Sequence, residues 1–270
     1  MAESLTLTVG VVGCGAMGGA IARGLVESGT LEPAGLLVAD SDAARLAPFA
    51  ALGARTFADG AALLADAPDV LILAVKPQVL GDVMTTLAPH AGERLVISIA
   101  AGVPTSAIEA ALPAARVVRV MPNLPVQVRS GATAICAGSR AGEKDVELAR
   151  ALFSALGATA VMREDQLDVA GAVSGCAPAF FSLFVDALTR AGVRAGLPAA
   201  CARDMVESTM RGCAEQLLTE GVHPREYMER VTSPGGTTAA ALFELEGPLT
   251  EGTYAAIDAA LARTRELAEG

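Results

Sequence analysis

Up to about residue 162, short continuous apolar runs alternate with amphipathic stretches, an order that predicts a mostly parallel sheet covered by helices. The runs are Leu5–Val12, Leu36–Ala39, Val70–Val75, Leu95–Ile99, Val117–Met121, Thr133–Cys136 and Thr159–Met162. Apolar at successive positions, they suit strands buried on both faces. Met17–Ser28 and Val79–Leu87 repeat their apolar positions at helical spacing. After Arg163 the pattern changes: Gln166 to Thr219 is helical throughout, with breaks expected near Gly175–Pro178 and at Gly196-Leu197-Pro198. Gly221 to Gly236 reads as the one long loop of this half, and Gly252 to Glu269 as a final alanine-rich helix. The fold class is therefore α/β, a mostly parallel sheet domain over residues 1–163 followed by an all-helical domain over 164–270.

Composition narrows the partners. With 270 residues, 52% of them apolar, the chain can bury a large core. Its net charge of −10 provides no basic field for nucleic acid or anionic lipid, so neither is expected as a partner. The five cysteines, Cys14, Cys136, Cys176, Cys201 and Cys213, are scattered and form no C-x-x-C pair, which argues against a disulfide framework or a zinc site and for a reducing, cytoplasmic setting. Met1 to Thr8 lacks the positive start of a secretory signal and reads as the lead-in to a strand. The longest uncharged stretch, Val169 to Val185, is interrupted by Gly171, Ser174, Gly175 and Pro178 and is shorter than a membrane helix requires, so it reads as buried interior.

Two places carry chemistry. The first strand runs into Gly13-x-Gly15-x-x-Gly18 and then a helix, the setting in which this glycine pattern signals a dinucleotide site in a Rossmann-like domain. Gly13 allows the tight turn, Gly15 the approach of a pyrophosphate, and Gly18 close packing of helix on strand, while Ala16 and Met17 open the helix whose N–H groups meet the anion. Asp40 ends the second strand 22 residues after Gly18, where an acid reads an adenosine ribose and repels a 2′-phosphate; it would equally serve as the cap of a helix starting near Ser41. Ala74-Val75-Lys76-Pro77 ends the third run, where ligands of open parallel sheets collect; Lys76, one of two lysines, would reach phosphate or ribose, or simply solvent. Asn123 follows a later strand, facing either the nicotinamide or only its own turn.

The second place is Val231-Thr232-Ser233-Pro234-Gly235-Gly236-Thr237-Thr238, a proline-led turn with two glycines and four hydroxyls leading into a helix. Free helix-terminal amides beside Ser233 and Thr237 would hold a small carboxylate without an arginine. The same residues would also suit a plain turn and helix cap.

Taken together, Gly-Cys-Gly-Ala-Met-Gly, Val-Lys-Pro-Gln, Arg119-Val120-Met121-Pro122-Asn123, Ser174-Gly175-Cys176-Ala177-Pro178-Ala179-Phe180 and Thr232 to Thr238 resemble, in order, the motifs of the pyrroline-5-carboxylate reductases. The resemblance implies a cofactor of NADPH or NADH, held by Gly13, Gly15, Ala16, Met17, Gly18, Asp40, Ala74, Val75, Lys76, Pro77 and Asn123. It implies pyrroline-5-carboxylate as substrate, touched by Val231, Ser233, Gly236, Thr237, Thr238 and Pro178, with Thr238 beside the imine nitrogen as the catalytic group. It also implies a homodimer or larger assembly built through the helical domain, with the active site near the dimer interface, and no metal. Two departures stand out. The family commonly has Gly-Pro-Ala-Tyr at Ala177–Phe180, and many members carry asparagine and arginine at Asp40 and Ser41, which bears on the choice between the two cofactors.

Such a reduction needs alignment of a hydride and an imine, a carboxylate anchor and a hydrogen bond to the ring nitrogen, but no covalent nucleophile. The inventory agrees, with only His90 and His223, the latter read as a surface loop residue. A β-hydroxyacid dehydrogenase would want a lysine in the second half, where none follows Lys144. A non-catalytic nicotinamide-binding regulator would not need the Ser233–Thr238 loop.

Overall fold

The computed structural model describes residues 5–269, the side chains of the last three excepted. The lead-in read at Met1 to Thr8 thus lies partly outside the described residues. Eight strands form one sheet: β1 (Val9–Val12), β2 (Leu36–Ala39), β3 (Arg55–Phe57), β4 (Val70–Leu73), β5 (Leu95–Ser98), β6 (Arg116–Met121), β7 (Gly131–Ala137) and β8 (Gly157–Val161). Their order is β3-β2-β1-β4-β5-β6-β7-β8, parallel except for the β6–β7 pair. Every position of β1, β2, β4 and β5 is buried, as their continuous apolar runs require.

Period-two alternation sends the strand side chains to two cores. Val9, Val11, Val38, Ile72 and Ile97 meet Ile21 and Leu25 of α1 (Ala16–Glu27), Phe49 of α2 (Ala43–Ala51) and a later helix, Glu143–Ser154, on one face. Leu37, Leu71, Leu73 and Val96 meet Leu63 of α3 (Gly60–Ala65), Leu80 and Leu87 of α4 (Pro77–Ala91) and Ile108 of α5 (Thr105–Ala111) on the other. Each such fully buried aliphatic contributes about 1.5–3 kcal/mol, so the loops at the carboxyl ends of the central strands sit on a rigid base. With Glu143–Ser154 as α6, the chain continues through α7 (Glu164–Ala170), which packs Leu167 on Ala134 and Cys136 of β7, into a single π-helical turn, Gly171–Gly175.

The remaining helices are α8 (Cys176–Arg194), α9 (Ala199–Glu220), α10 (Pro224–Arg230) and α11 (Thr237–Glu269). Two compact units result, one ending at Gly175 and taking in the chain from Leu261, the other Cys176–Ala260.

Four expectations need correction, one of them the start of the final helix, which is Thr237 and not Gly252. β3 was not among the expected strands because Arg55-Thr56-Phe57 is short, polar and an exposed edge. Gly221–Gly236 is not one long loop. Pro224 starts α10, His223 Nδ1 accepts the Arg225 N–H (3.1 Å), and Arg230 pairs with Glu226 (2.7 Å) and Glu220, so seven residues hold helix inside a proline- and glycine-rich stretch. Nor is Val169–Val185 buried interior: no residue of α8 is buried, and Phe181, Leu183 and Leu188 are exposed. The continuous helical run Glu164–Arg194 is long and apolar enough to cross a membrane by length and composition, with 11% of its most apolar window buried. A helical sequence period places apolar residues on a face; it does not say whether this chain supplies the cover.

Candidate functional site

In the first unit, three loops converge where the strand order reverses between β1 and β4, the crevice in which open parallel sheets hold ligands. Gly13 has φ +99°, and its N–H donates to Ala39 O (2.8 Å), tying the turn to β2. A Cβ on Gly18 would run into Gly13 O and come within 2.7 Å of the Ala74 Cβ, so only glycine lets α1 lie this close to the turn. A Cβ on Gly15 would meet nothing within 4 Å, leaving open space on the side where a ligand approaches. α1 has no side-chain cap, and the N–H groups of Gly15, Ala16, Met17 and Gly18 make no hydrogen bond within the described residues. That is a cradle for an anion.

Asp40, 6% exposed at its side chain, accepts the Cys14 N–H (2.7 Å) and the Asp42 N–H (2.9 Å) and lies 3.6 Å from Arg45. It does not cap α2, as one reading of it held. Asp42 does, accepting the Ala44 N–H (2.9 Å). Burial, and next the Asp40 carboxylate, push the Cys14 thiol up to about 12, with Arg45 partly offsetting them, so a residue in the middle of the fingerprint is no nucleophile. Ala74 N donates to Val12 O (2.8 Å), and Val75 packs beside the second core. Lys76 caps α4 with its backbone and is exposed, in no ion pair among the described residues, and Pro77 is the first residue of that helix.

Asn123 has a different use from the one expected of its side chain. It is buried, its Nδ2 donates to Ser174 O (3.1 Å) and its Oδ1 accepts the Ala132 N–H (2.8 Å), so the amide is spent pinning the π turn to the strands.

Two features carry structural weight that sequence reasoning left without a role. Arg119 of β6 is 3% exposed at its side chain and pairs with Asp168 (2.8 Å) and Glu164 (3.5 Å) of α7. Glu164 in turn accepts the Thr105 N–H (2.6 Å) and hydroxyl (2.8 Å) at the start of α5. The signal was present: an arginine within Val117-Val118-Arg119-Val120-Met121 cannot be buried without acids, and Glu164 and Asp168 stand one helical turn apart. The π turn, rare and frequent at functional positions, has no comparable sequence mark.

In the second unit, Pro178 lies in the first turn of α8, its carbonyl accepting the Ser182 hydroxyl (2.7 Å). Val231 ends α10 and is exposed. Ser233 O accepts the Gly236 N–H (2.9 Å), closing the turn, and Ala240 N donates to Gly236 O (3.2 Å), which starts α11. The Thr237, Thr238 and Ala239 N–H groups and the hydroxyls of Ser233, Thr237 and Thr238 make no hydrogen bond within the described residues. Donors thus gather at the positive end of a 33-residue helix, and Thr237 caps nothing.

Residues 164–267 match the family described as pyrroline-5-carboxylate reductase dimerisation, and residues 8–102 the one described as NADP oxidoreductase, coenzyme F420-dependent. Pyrroline-5-carboxylate reductase 3 of Macaca fascicularis is 37% identical over 98% of each chain. A solved pyrroline-5-carboxylate reductase from Coxiella burnetii is 35% identical, with a TM-score of 0.92 over 97% of this chain and 99% of that one. The Plasmodium falciparum pyrroline carboxylate reductase crystallised with NADP is 26% identical, with a TM-score of 0.86 over 98% and 100%.

Proposed function

The chain belongs to the pyrroline-5-carboxylate reductase family and is an oxidoreductase that reduces Δ1-pyrroline-5-carboxylate to proline with NADH or NADPH; from that premise we propose which residues do the work. The cofactor pyrophosphate rests on the amides of Gly15, Ala16, Met17 and Gly18. The adenosine ribose lies toward Asp40, the nicotinamide side toward Ala74, Val75 and the Asn123 backbone, and Lys76 with Pro77 borders the phosphates. The bound nicotinamide supplies the hydride that saturates the imine carbon. The start of α11 holds the substrate carboxylate on the Gly236 to Thr238 backbone with Ser233 and Thr237, Val231 and Pro178 bound the ring, and the Thr238 hydroxyl hydrogen-bonds the ring nitrogen. What most supports this reading is the set of unpaired N–H groups and hydroxyls at Thr237 and Thr238, in a chain with a full-length relative of this activity. Oxidation of added NADH or NADPH on mixing with pyrroline-5-carboxylate, with proline as product, tests it; an inert enzyme would sink it.

Residues 1–163 serve the dinucleotide and residues 164–270 the substrate and dimerisation. A second copy covers the exposed apolar face of α8, making a homodimer or larger assembly, and the five free cysteines fit a cytoplasmic setting. Light scattering should show at least a dimer, and Phe181→Glu with Leu183→Glu should shift it toward monomer with loss of activity; a fully active monomer contradicts the assembly.

Both nicotinamide forms should work. Asp40→Asn removes one charge from the ribose side while an amide oxygen still accepts the Cys14 N–H, so the efficiency ratio of NADPH to NADH should rise about tenfold, the equivalent of about 1–2 kcal/mol of repulsion at short range. A hundredfold preference for NADPH, unchanged by the substitution, would show that Asp40 does not face the ribose.

A further inference from the structure

The substrate reading uses the start of α11 and leaves the short helix before it without a role. α10 and the loop it feeds lie wholly within the second unit. Seven residues of helix do not hold themselves in water, where an isolated helix shorter than about 12–15 residues is marginal. α10 therefore depends on ties to its neighbours. Its ion pairs reach Glu246 of α11 from Arg225 (2.6 Å) and Glu220 of α9 from Arg230, but all four side chains are 37–59% exposed, and water screens such pairs to little net worth. A neutral tie adds to them. Tyr227, half-buried, donates its hydroxyl to Gln216 Oε1 of α9 (2.5 Å), and Cys213 Sγ, one turn back on α9, lies 3.6 Å from the same oxygen.

The position of α10 is passed to the loop through Thr232. Its N–H donates to Glu229 O (3.2 Å) and its hydroxyl to Met228 O (2.6 Å), so the chain up to residue 232 is bonded to the last turn of α10 and moves with it. Ser233 comes next. Its carbonyl accepts the Gly236 N–H, and its Oγ packs so closely on Gly236 that a Cβ there would run into it. The Ser233 hydroxyl is thus set against the start of α11 from the α10 side.

We infer that Tyr227 is a positioning residue for imine reduction: through its hydrogen bond to Gln216 it docks α10 on α9, and through Thr232 it holds the Ser233 side of the loop in the conformation that takes the substrate carboxylate. It acts through the loop and not on the reacting atoms, and the inference rests on the reading above that this loop binds the substrate.

A loop that adopts its binding conformation only part of the time binds with its affinity reduced by that fraction. Tyr227→Phe keeps the ring and removes the tie. In full-length protein at saturating nicotinamide, KM for pyrroline-5-carboxylate should then rise about threefold to tenfold, the population shift that loss of one neutral hydrogen bond brings. The kcat, nicotinamide affinity and oligomeric state should stay at parent values. Gln216→Ala, at an exposed side chain, should raise KM by the same factor, and the double variant should be no worse than either single one, because both remove one shared interaction. Gln216→Glu keeps an acceptor for the phenol and should return KM to near the parent value. Parent KM in folded Tyr227→Phe or Gln216→Ala overturns the inference, as do losses that multiply in the double variant or an equal fall in nicotinamide affinity. Were Tyr227→Phe not to fold, Gln216→Ala and Gln216→Glu would decide alone. Thr238→Val with parent kcat/KM removes the loop reading on which the inference rests, whereas an impaired Thr238→Val beside parent KM in Tyr227→Phe sinks the inference alone.

Discussion

Gly18→Ala should abolish nicotinamide turnover. The new methyl would be driven into the Gly13 carbonyl and against Ala74, both backbone-anchored, so neither can swing aside. α1 has to move off the β1–β4 crevice, taking with it the four unpaired amides at its start. Overpacking of this kind costs about 1–3 kcal/mol of stability, and displacing an anion cradle by a fraction of an ångström weakens every hydrogen bond it makes. Nicotinamide affinity should fall at least about a hundredfold, read by quenching of cofactor fluorescence, and the melting temperature should fall with it. Gly15→Ala separates the two effects. Its methyl meets no protein atom within 4 Å, so the fold should melt as the parent does, while the methyl occupies the space a pyrophosphate needs. Parent affinity in Gly15→Ala would mean that the pyrophosphate does not lie over this turn.

Thr238→Val should leave nicotinamide binding untouched and lower kcat/KM for pyrroline-5-carboxylate about tenfold to a hundredfold or more, the equivalent of ~1.5–3 kcal/mol of transition-state stabilisation. Valine keeps the volume and removes the hydroxyl, so a ring nitrogen that had a partner is left without one. The structure sharpens the control. Thr237 would suit a loop or helix-cap group, yet its hydroxyl makes no hydrogen bond among the described residues, so Thr237→Val should change stability by little and cost less activity than Thr238→Val. Full kcat/KM in Thr238→Val with loss in Thr237→Val would exchange their roles, and indifference of both would make the loop purely structural.

The thiols of the first unit have no comparable freedom to react. Burial, and then Glu164, push the Cys136 thiol up to about 11, so both cysteines of the sheet domain are protonated at neutral pH. Alkylation of native protein at pH 7 should therefore spare Cys14 and Cys136 while reaching the exposed Cys201, which mass spectrometry of the labelled peptides would resolve.

The strand-to-helix turn at Gly13–Gly18 and the Ser233–Thr238 loop were legible without coordinates because their chemistry is local: a glycine's missing Cβ, a proline's fixed φ and the free amides of a helix start are properties of neighbouring residues. The central strands were legible for a related reason, since burial on both faces forces every position to be apolar. Edge strand Arg55–Phe57 and helix Pro224–Arg230 carry no such constraint. The strand is held by pairing with β2, and the seven-residue helix by its own proline start, the His223 cap and the Arg230 pairs with Glu226 and Glu220, inside a stretch whose prolines and glycines read as loop. Tertiary structure alone decided where the polar side chains turn: Asp40 to the Cys14 amide, Asn123 to Ser174 and Ala132, Arg119 to two acids 45 and 49 positions away. Residue type states what a group can bond, but the partner is whatever the folded sheet brings within 3 Å or so.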